Sequence, residues 1–239
     1  MCANWRRPWA GTGDMTGIWA IVPIKDTHFS KSRLAPVMSD RMRRQLALIM
    51  FEDVLTALLH APGLEGIMVP TPDAEITRIG RRYGVEIMAE PTPTDYNRVA
   101  RQAACRIAEQ GGDAALILPA DIPLLTSGEV QAVLSAASAM QVAILAARDG
   151  IGTNGLLLRG PDVMVPHFGI HSLHRHRQLA CSHGLSHTVM DFPGFGFDID
   201  TSLDVYDLWM LASPTETGRF VEQAIRRGEI KVEKPCQVM

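Results

Sequence analysis

The sequence predicts an α/β protein, a three-layer sandwich with a mainly parallel sheet, and three observations favour it. Short apolar runs rich in Ile, Val and Leu alternate with helical segments of about 10 to 20 residues, which is typical of βαβ units. The chain has 239 residues, a length that suits one large domain. Its hydrophobic residues make up 46% of the total, which is enough for a sizeable core.

Each element follows from a local pattern. The run IWAIVPI at 18–24 predicts the first buried strand, because it is apolar and stops near a proline. Ser39 offers an N-cap for a helix that runs to about residue 60. Further strands are predicted at 66–70, 85–89, 114–119, 142–147, 155–158 and 186–192. Helices are predicted at 73–83, 96–109, 127–140, 171–183 and 216–227, with one more beginning after Thr201 or Ser202.

Composition excludes several classes of protein. Lys and Arg number 23 against 26 Asp and Glu, so the net charge of −3 argues against a nucleic-acid binder. The four cysteines are far apart and form no C-x-x-C pair, which favours thiols in a reducing cytoplasm. No apolar stretch reaches the ~18 residues that span a bilayer, and the basic start lacks the apolar core of a signal peptide. We therefore expect a soluble, cytoplasmic protein.

A basic loop follows the first strand. The segment PIKDTHFSKSRL holds Lys25, Lys31 and Arg33, and these cations suit the oxygens of a polyphosphate. It contains neither a Walker A pattern nor G-x-G-x-x-G. A merely solvated loop is an equally good interpretation of this segment taken alone.

Two acidic segments suggest a metal site. In LPADIPLL, Pro119 ends a strand and Pro123 stiffens the following turn, so Asp121 is held at the carboxyl edge of the sheet. In FDIDTSLD, Asp198 and Asp200 lie two residues apart, on one side of an extended chain. Carboxylates suit Mg²⁺, which prefers hard oxygen ligands. Helix capping is the alternative role for Asp121 and for Asp200.

Two later segments carry neutral or histidine-rich groups. RDGIGTNGLLL is a glycine-rich turn in which Thr153 and Asn154 supply neutral donors. A plain hairpin loop explains the glycines but explains the Thr-Asn pair less well. Residues 167–187 contain six of the eight histidines, but no recognisable zinc spacing. Gly169 and Ser172, at the start of a helix, could bind an anion through backbone N–H groups. Several of these histidines are expected on a solvent-exposed helical face.

Together these stretches resemble the 2-phospho-L-lactate guanylyltransferase family, whose members make a precursor of the deazaflavin coenzyme F-420. The resemblance is carried, in order, by WAIVPIK…KSRLAP, LPADIPLL, RDGIGTNGLLL, FGIHSLHRH and FDIDT, and it covers about residues 18–208. It implies a nucleotide-diphospho-sugar transferase-like fold with a nucleotidyltransferase domain at 18–212. Residues 1–17 would be a leader, and residues 213–239 a C-terminal helix and tail.

The resemblance also implies substrates and residue roles. GTP and Mg²⁺ would be used, with a three-carbon phospho-acid as acceptor: 2-phospho-L-lactate, phosphoenolpyruvate or 3-phospho-D-glycerate. Pyrophosphate would leave, and a homodimer is compatible with the family. Metal would be held by Asp121, Asp198 and Asp200, the acid by Thr153, Gly169 and Ser172, and the nucleotide by Lys25, Lys31, Arg33 and Asn97. Asp121, Lys25 and Arg33 would act in catalysis.

Two positions depart from the family pattern. Asp95-Tyr96-Asn97 stands where relatives usually have Gly-Leu-Asn, so the guanine contacts of this region are in doubt although Asn97 is retained. His171 replaces a common glycine beside the expected acid site. Three alternatives stay open: a transferase for a molybdopterin or sugar phosphate, a nucleotide-binding protein without catalysis, and a histidine-rich metal-binding module.

Overall fold

Seven strands form one mixed sheet in the computed structural model, which describes residues 17–90, 95–136 and 138–231. The strands are β1 (Ile18–Ile21), β2 (Gly66–Thr71), β3 (Glu86–Ala89), β4 (Ala114–Ile117), β5 (Val142–Ala146), β6 (Thr153–Arg159) and β7 (His187–Met190). The helices are α1 (Asp40–Leu59), α2 (Ala74–Arg82), α3 (Tyr96–Glu109), α4 (Ser127–Ala136), α5 (Ser172–Ser182), α6 (Pro193–Gly196), α7 (Ser202–Met210) and α8 (Glu216–Arg226). Two short 3-10 turns, Thr27–Phe29 and Ser32–Leu34, follow β1.

The strand order is β3-β2-β1-β4-β6-β5-β7. All neighbours are parallel except at β6, which runs antiparallel to both β4 and β5. The predicted α/β fold with a mainly parallel sheet is confirmed. Because β6 is reversed, its first residues lie at the same edge as the last residues of β1 and β4. That edge is where ligands bind in sheets of this kind.

Helices cover both faces of the sheet, each over its own hydrophobic cluster. On one face α1, α2 and α4 contribute buried residues such as Phe51, Ile76 and Val133. On the other face α3 and α5 contribute buried residues such as Val99 and Ala180. The three-layer arrangement thus follows from apolar strands that are buried on both sides.

A third cluster joins the C-terminal helices to α1. Leu46 of α1 packs with Leu208 of α7 and Val221 of α8. The carboxylate of Asp53 in α1 also accepts hydrogen bonds from the backbone N–H of Thr217 at 2.8 Å and its hydroxyl at 2.6 Å. Packing is therefore continuous across the boundary drawn at 212. Residues 1–16 of the expected leader and 232–239 of the tail lie outside the described residues.

Most differences from the predicted elements lie at their ends. Strand β6 begins at Thr153, two residues before the apolar run that predicted it, because Thr153 already pairs with Ala146 of β5, where the register shifts between Leu145 and Ala146. Helix α6 was not predicted, since four residues with a proline and two glycines resemble a loop. No described helix is long and apolar enough to cross a membrane.

Candidate active site

A cavity of about 270 Å³ opens where β1 and β4 end. Its lining comes from the basic loop after β1, from α1, from the start of α3, from the segment after β4 and from Asp200. Chain segments that are distant in sequence therefore meet at one edge of the sheet. The charged or polar lining residues that the argument uses are Lys25, Lys31, Tyr96, Asp121 and Asp200.

Asp121, Asp198 and Asp200 form what we term the carboxylate cluster. The backbone N–H of Ile199 donates to the carbonyl oxygen of Asp121 at 3.1 Å, which fixes the two acidic segments side by side. Burial raises the pKa of Asp198, and the charges of Asp121 and Asp200 add to this rise. A hydrogen bond from Asn154 Nδ2 to Asp198 Oδ1, at 3.0 Å, opposes it. The backbone contact thus brings the two acidic segments together, but the side-chain oxygens of the three carboxylates do not all lie within 4.8 Å of one another.

Lys31 neutralises part of this cluster. Its Nζ lies 2.5 Å from Asp121 Oδ2 and 2.9 Å from Asp200 Oδ1, and only 7% of its side chain is exposed. Burial favours the neutral amine, but the charges of the two carboxylates outweigh burial and raise the pKa of Lys31. The residue also has a left-handed backbone, with φ of 55°. Such a conformation in a non-glycine residue is held by its surroundings, here by a two-carboxylate contact.

The other two cations lie at the rim. The side chain of Arg33 is 74% exposed, and its Nη1 lies 3.8 Å from Asp200 Oδ2. Lys25 is exposed and lines the cavity. Both can reach a bound anion without breaking a buried ion pair.

Capping does not account for Asp121 or Asp200. Helix α4 is preceded by Thr126, whose hydroxyl accepts from the N–H of Glu129 at 3.2 Å, while Glu129 accepts from the N–H of Thr126. Helix α7 is capped by Thr201, and Asp204 completes a capping box. The two carboxylates that the sequence left ambiguous are therefore available to other partners.

The start of β6 supplies side chains to two different places. Asn154 donates to Asp198 in the carboxylate cluster, whereas Thr153 Oγ1 lies 3.1 Å from Nδ1 of His176 in α5. Successive side chains of a strand point to opposite faces, which explains this division. The hairpin alternative explains only the preceding turn, where Asp149 Oδ1 accepts from the N–H groups of Ile151 and Gly152.

Residues 167–172 form a loop that leads into α5, the 167–172 loop. Gly169 has φ of 120° and His171 has φ of 58°, so both need left-handed backbone. Ser172 is 1% exposed, and its Oγ has no hydrogen-bond partner among the described residues. A buried hydroxyl without a partner is costly, so its presence at a helix start points to a ligand.

The start of α3 holds the 167–172 loop in place. Asn97 Oδ1 accepts from the N–H of Phe168 at 2.7 Å, and its Nδ2 donates to the Phe168 carbonyl at 3.1 Å. The neighbouring Tyr96 packs edge-to-face on Phe168, with ring centroids 5.2 Å apart. Its hydroxyl oxygen is buried and unpaired within the described chain, and burial raises its pKa. In the sequence, Tyr96 differs from the family pattern, but no pattern there marks its hydroxyl as a donor at the site.

The histidines of 167–187 do not assemble into a metal site in the described part of the chain. His171, His174 and His183 are exposed, as expected of a wet helical face. His176 differs, because it is fully buried. The three-residue acidic and histidine group that does form is Asp26, His28 and Asp73, which the sequence did not suggest. Asp73 already caps α2 and accepts from Thr27.

A family model and curated relatives show the family to which this chain belongs. A family model described as guanylyl transferase CofC like matches residues 18–234. A phosphoenolpyruvate guanylyltransferase from Conexibacter woesei is 34% identical over 189 residues, which cover 78% of this chain and 85% of the relative. One from Sphaerobacter thermophilus is 35% identical, covering 79% of this chain and 91% of the relative.

Solved structures support the fold. A putative nucleotide-diphospho-sugar transferase from Desulfovibrio desulfuricans aligns with a TM-score of 0.74 and 17% identity, covering 90% of this chain and 99% of the other. A 4-diphosphocytidyl-2C-methyl-D-erythritol synthase from Anaerococcus prevotii aligns with a TM-score of 0.59 and 10% identity, covering 87% and 96%. At such identities the likeness is one of fold.

Proposed function

Because this chain belongs to the CofC-like guanylyl transferase family and is a guanylyltransferase, we propose that it moves GMP from GTP to the phosphate of phosphoenolpyruvate. The reaction would release pyrophosphate and serve the biosynthesis of coenzyme F-420. The observation that carries the proposal is the carboxylate cluster, which lies at the same sheet edge as the buried Ser172 hydroxyl, a group with no hydrogen-bond partner among the described residues. One group suits a cation and the other suits an anionic acid.

We propose that the carboxylate cluster would hold a Mg²⁺ ion. Lys31 uses one oxygen each of Asp121 and Asp200, and Asn154 uses one of Asp198. No hydrogen bond from another described residue reaches the second oxygens of Asp121 and Asp198. Burial is the largest cause of the raised pKa of Asp198, and the charges of Asp121 and Asp200 raise that pKa further, so a bound cation would lower it. When bound, the ion would offset the charge of the phosphates and stabilise the leaving pyrophosphate.

The cations would hold the triphosphate. Lys25 and Arg33 are exposed at the rim, so they can turn to phosphate oxygens at little cost. Lys31 already faces the carboxylates, where its fixed charge also lowers the repulsion that an incoming polyanion meets. We propose that Asn97 does not contact the nucleotide, because both ends of its amide hold the backbone of Phe168 in the 167–172 loop.

The acid would bind at the 167–172 loop. Ser172 Oγ offers a donor to a carboxylate or phosphate, and Thr153 lies beside it through its contact with α5. The N–H groups of Ser172 and Leu173 already donate to the carbonyl oxygens of Gly169 and Ile151, at 3.0 and 3.1 Å. The left-handed backbone of Gly169 opens the loop there, with no atom within 4 Å of where its Cβ would be. These donors are neutral, which suits an acceptor that must keep its nucleophilic charge.

The chemistry needs alignment more than proton transfer. A phosphate oxygen of the acceptor is already ionised near neutral pH, so it can attack the α-phosphorus of GTP without a general base. The bond to the β-phosphate breaks in line, and pyrophosphate takes the electron pair. The chain's task is to bring two anions together and hold them at the attack distance. Lys25, Arg33 and the carboxylate cluster with its cation would do so on one side, and Thr153, Gly169 and Ser172 on the other.

A product assay tests this proposal. The purified protein is offered GTP or ATP with Mg²⁺ and, in turn, phosphoenolpyruvate, 2-phospho-L-lactate, 3-phospho-D-glycerate and a hexose 1-phosphate, and products are identified by mass. We expect a guanylylated phosphoenolpyruvate and an equal amount of pyrophosphate, both lost when EDTA is added. A guanylylated product with another acid and none with phosphoenolpyruvate would overturn the choice of acceptor. Activity that survives EDTA would overturn the role of the metal.

A further inference from the structure

His176 is the one histidine of the 167–187 segment whose side chain is fully buried. It lies in α5, four residues after Ser172, so both side chains occupy the same helical face. Its ring is held on two sides by hydrogen bonds and packs edge-to-face against Phe168, with centroids 5.2 Å apart. It contacts both the strand that carries Thr153 and the 167–172 loop.

The hydrogen bonds fix which ring nitrogen carries the proton. The backbone N–H of His167 donates to Nε2 of His176 at 2.9 Å, and because a backbone amide can only donate, Nε2 must be the bare nitrogen. Burial and the neighbouring His167 lower the pKa of His176 to about 4, so the ring is neutral at physiological pH. The single ring proton therefore resides on Nδ1, which faces Thr153 Oγ1 at 3.1 Å.

This proton decides the orientation of the Thr153 hydroxyl. Since Nδ1–H donates, Thr153 Oγ1 accepts, and the hydroxyl hydrogen must point away from the ring. Thr153 is 7% exposed, and in the described part of the chain its Oγ1 makes no hydrogen bond other than that to His176. A hydroxyl hydrogen directed away from its single partner is a donor prepared for a ligand.

We propose that His176 is a positioning residue that keeps the Thr153 hydroxyl turned as a donor toward the bound acid. The proposal rests on the proposed acid site, because it assigns the ligand of Thr153. His176 also holds the His167 backbone, so one ring fixes both walls of the acid site. Without it the Thr153 hydroxyl could rotate and present a lone pair to an anion, which would repel it.

If His176 had a purely structural role, different results would be expected. It would contribute to stability and would affect GTP and acid binding alike when replaced. A positioning residue instead acts through Thr153, so its replacement should change the KM of the acid while the KM of GTP stays the same. It should also have no effect once the Thr153 hydroxyl has been removed.

The first test needs no substrate and is therefore independent of the proposed function. Two-dimensional ¹⁵N–¹H spectra of the histidine side chains are recorded on the intact protein at pH 7, and His176 is assigned from the spectrum of His176→Asn. We expect a neutral ring protonated at Nδ1. A ring protonated at Nε2, or at both nitrogens, would overturn the proposal even if guanylyl transfer is confirmed.

The second test is a double-mutant cycle with His176→Gln and Thr153→Val. The Gln carbonyl can replace Nε2 as the acceptor for the His167 N–H, but nothing replaces the Nδ1–H donor. We expect His176→Gln to raise the KM of the phospho-acid about tenfold, as for a lost hydrogen bond to a charged group, with the KM of GTP changed less than about twofold. In Thr153→Val the same change should have no further effect.

His176→Asn supplies the matched comparison, because its amide nitrogen can replace Nδ1 as a donor to Thr153. We expect it to recover most of the acid affinity that His176→Gln loses. Two results would show that His176 serves only in packing. One is an equal loss of acid affinity in the Gln and Asn variants, and the other is a rise in the KM of the acid from His176→Gln that is fully additive with that from Thr153→Val. If the Gln variant does not fold, the spectra of the unmodified protein still decide the proposal.

Discussion

The carboxylate cluster and the 167–172 loop lie at one edge of the sheet, yet their polar groups are satisfied in opposite ways. In the cluster, Lys31 supplies the missing charge from within the chain and pairs with Asp121 and Asp200. In the loop, backbone geometry is fixed by Asn97 and His176, but the Ser172 hydroxyl is left without a partner in the described residues. In the carboxylate cluster a lysine offsets part of the negative charge. In the 167–172 loop the polar groups are oriented before a ligand binds.

This difference has an energetic meaning. The ammonium group of Lys31, whose side chain is 7% exposed, needs its carboxylate partners even before a ligand arrives, because a buried charge without partners is costly. A neutral hydroxyl costs far less when unpaired, about 1 to 3 kcal/mol, so it can wait for its ligand. We therefore expect changes in the cluster to affect turnover strongly, and changes around the loop to affect acid affinity and stability.

The largest effect is expected for Asp121→Asn, which removes a charge from the cluster while keeping the side chain's size. The rate of pyrophosphate release with GTP and phosphoenolpyruvate should fall by about 10³-fold, since the cation and the transferred phosphoryl group lose their alignment. The free energy of unfolding, measured with urea, should change by less than about 1 kcal/mol.

Asp191→Asn is the matched control for this variant, because Asp191 is exposed. It should leave both quantities unchanged. An Asp121→Asn enzyme that retains a tenth of the activity would remove the cluster from the mechanism.

The second-largest effect is a loss of folding stability at acid pH, and it arises from His176 beside the 167–172 loop. The pKa of His176 is lowered from an ordinary 6.5 to about 4 in the folded protein. Between those values the unfolded chain binds a proton that the folded chain does not, so stability present above pH 6.5 is lost as the pH falls toward 4. The loss amounts to about 3 kcal/mol.

Urea unfolding at several pH values measures this effect. The stability of the unmodified protein relative to His176→Gln, which does not titrate, should shrink by about that amount between pH 7 and pH 4. The His174→Gln variant, changed on the exposed face of the same helix, retains His176 and should therefore lose stability toward pH 4 as the unmodified protein does. Parallel pH profiles for all three proteins would mean that His176 is not held neutral.

Ser172→Ala should separate affinity from stability. We expect the KM of phosphoenolpyruvate to rise about tenfold, because a donor to an anionic oxygen is lost. The free energy of unfolding should stay constant or rise slightly, since the hydroxyl has no partner to lose within the described chain. Ser182→Ala, at the other end of α5, removes a hydroxyl that donates to the Leu179 carbonyl and should leave KM unchanged. Unaltered KM in Ser172→Ala would count against the acid site.

The smallest effect is expected for Tyr96→Phe. Its buried hydroxyl has no hydrogen-bond partner among the described residues, which lowers the stability of the unliganded protein. Removal of this hydroxyl should therefore raise the free energy of unfolding by up to about 1 kcal/mol. Tyr83→Phe gives the contrast, because the Tyr83 hydroxyl donates to Glu52 at 3.0 Å and its removal should destabilise or be neutral. A Tyr96→Phe protein that is less stable than the unmodified chain would show that the hydroxyl has a partner after all.

The sequence was most informative where chemistry follows from charge. The carboxylates of Asp121, Asp198 and Asp200 could be picked out because acidic residues beside prolines, or two residues apart at strand ends, have few structural reasons to be there. Their meeting follows from a mainly parallel sheet, in which strand ends share an edge. Much of the fold was predictable for the same kind of reason, since apolar runs and caps such as Ser39 are local signals.

What the sequence did not show depends on contacts between distant segments. Lys31 was interpreted as a triphosphate ligand alone, and its pairing with two carboxylates arises only in the folded chain. Little in the sequence distinguishes His176 from the other histidines of 167–187. Its neighbours in sequence are mostly polar, and helical spacing alone does not say which side of the helix faces inward. A spacing of four residues from Ser172 was the one available signal.

The reversal of β6 has a consequence for how such enzymes can diverge. The hairpin before β6 enters the sheet from the ligand edge, and its backbone contacts two other segments there. The N–H of Arg148 donates to the carbonyl oxygen of Gly196 at 2.9 Å, and the carbonyl oxygen of Ile151 accepts from the N–H of Leu173 at 3.1 Å. A change of length between Ala147 and Gly152 would therefore act on Thr153 and on the start of α5 together, so that both walls of the proposed acid site would be altered by one event.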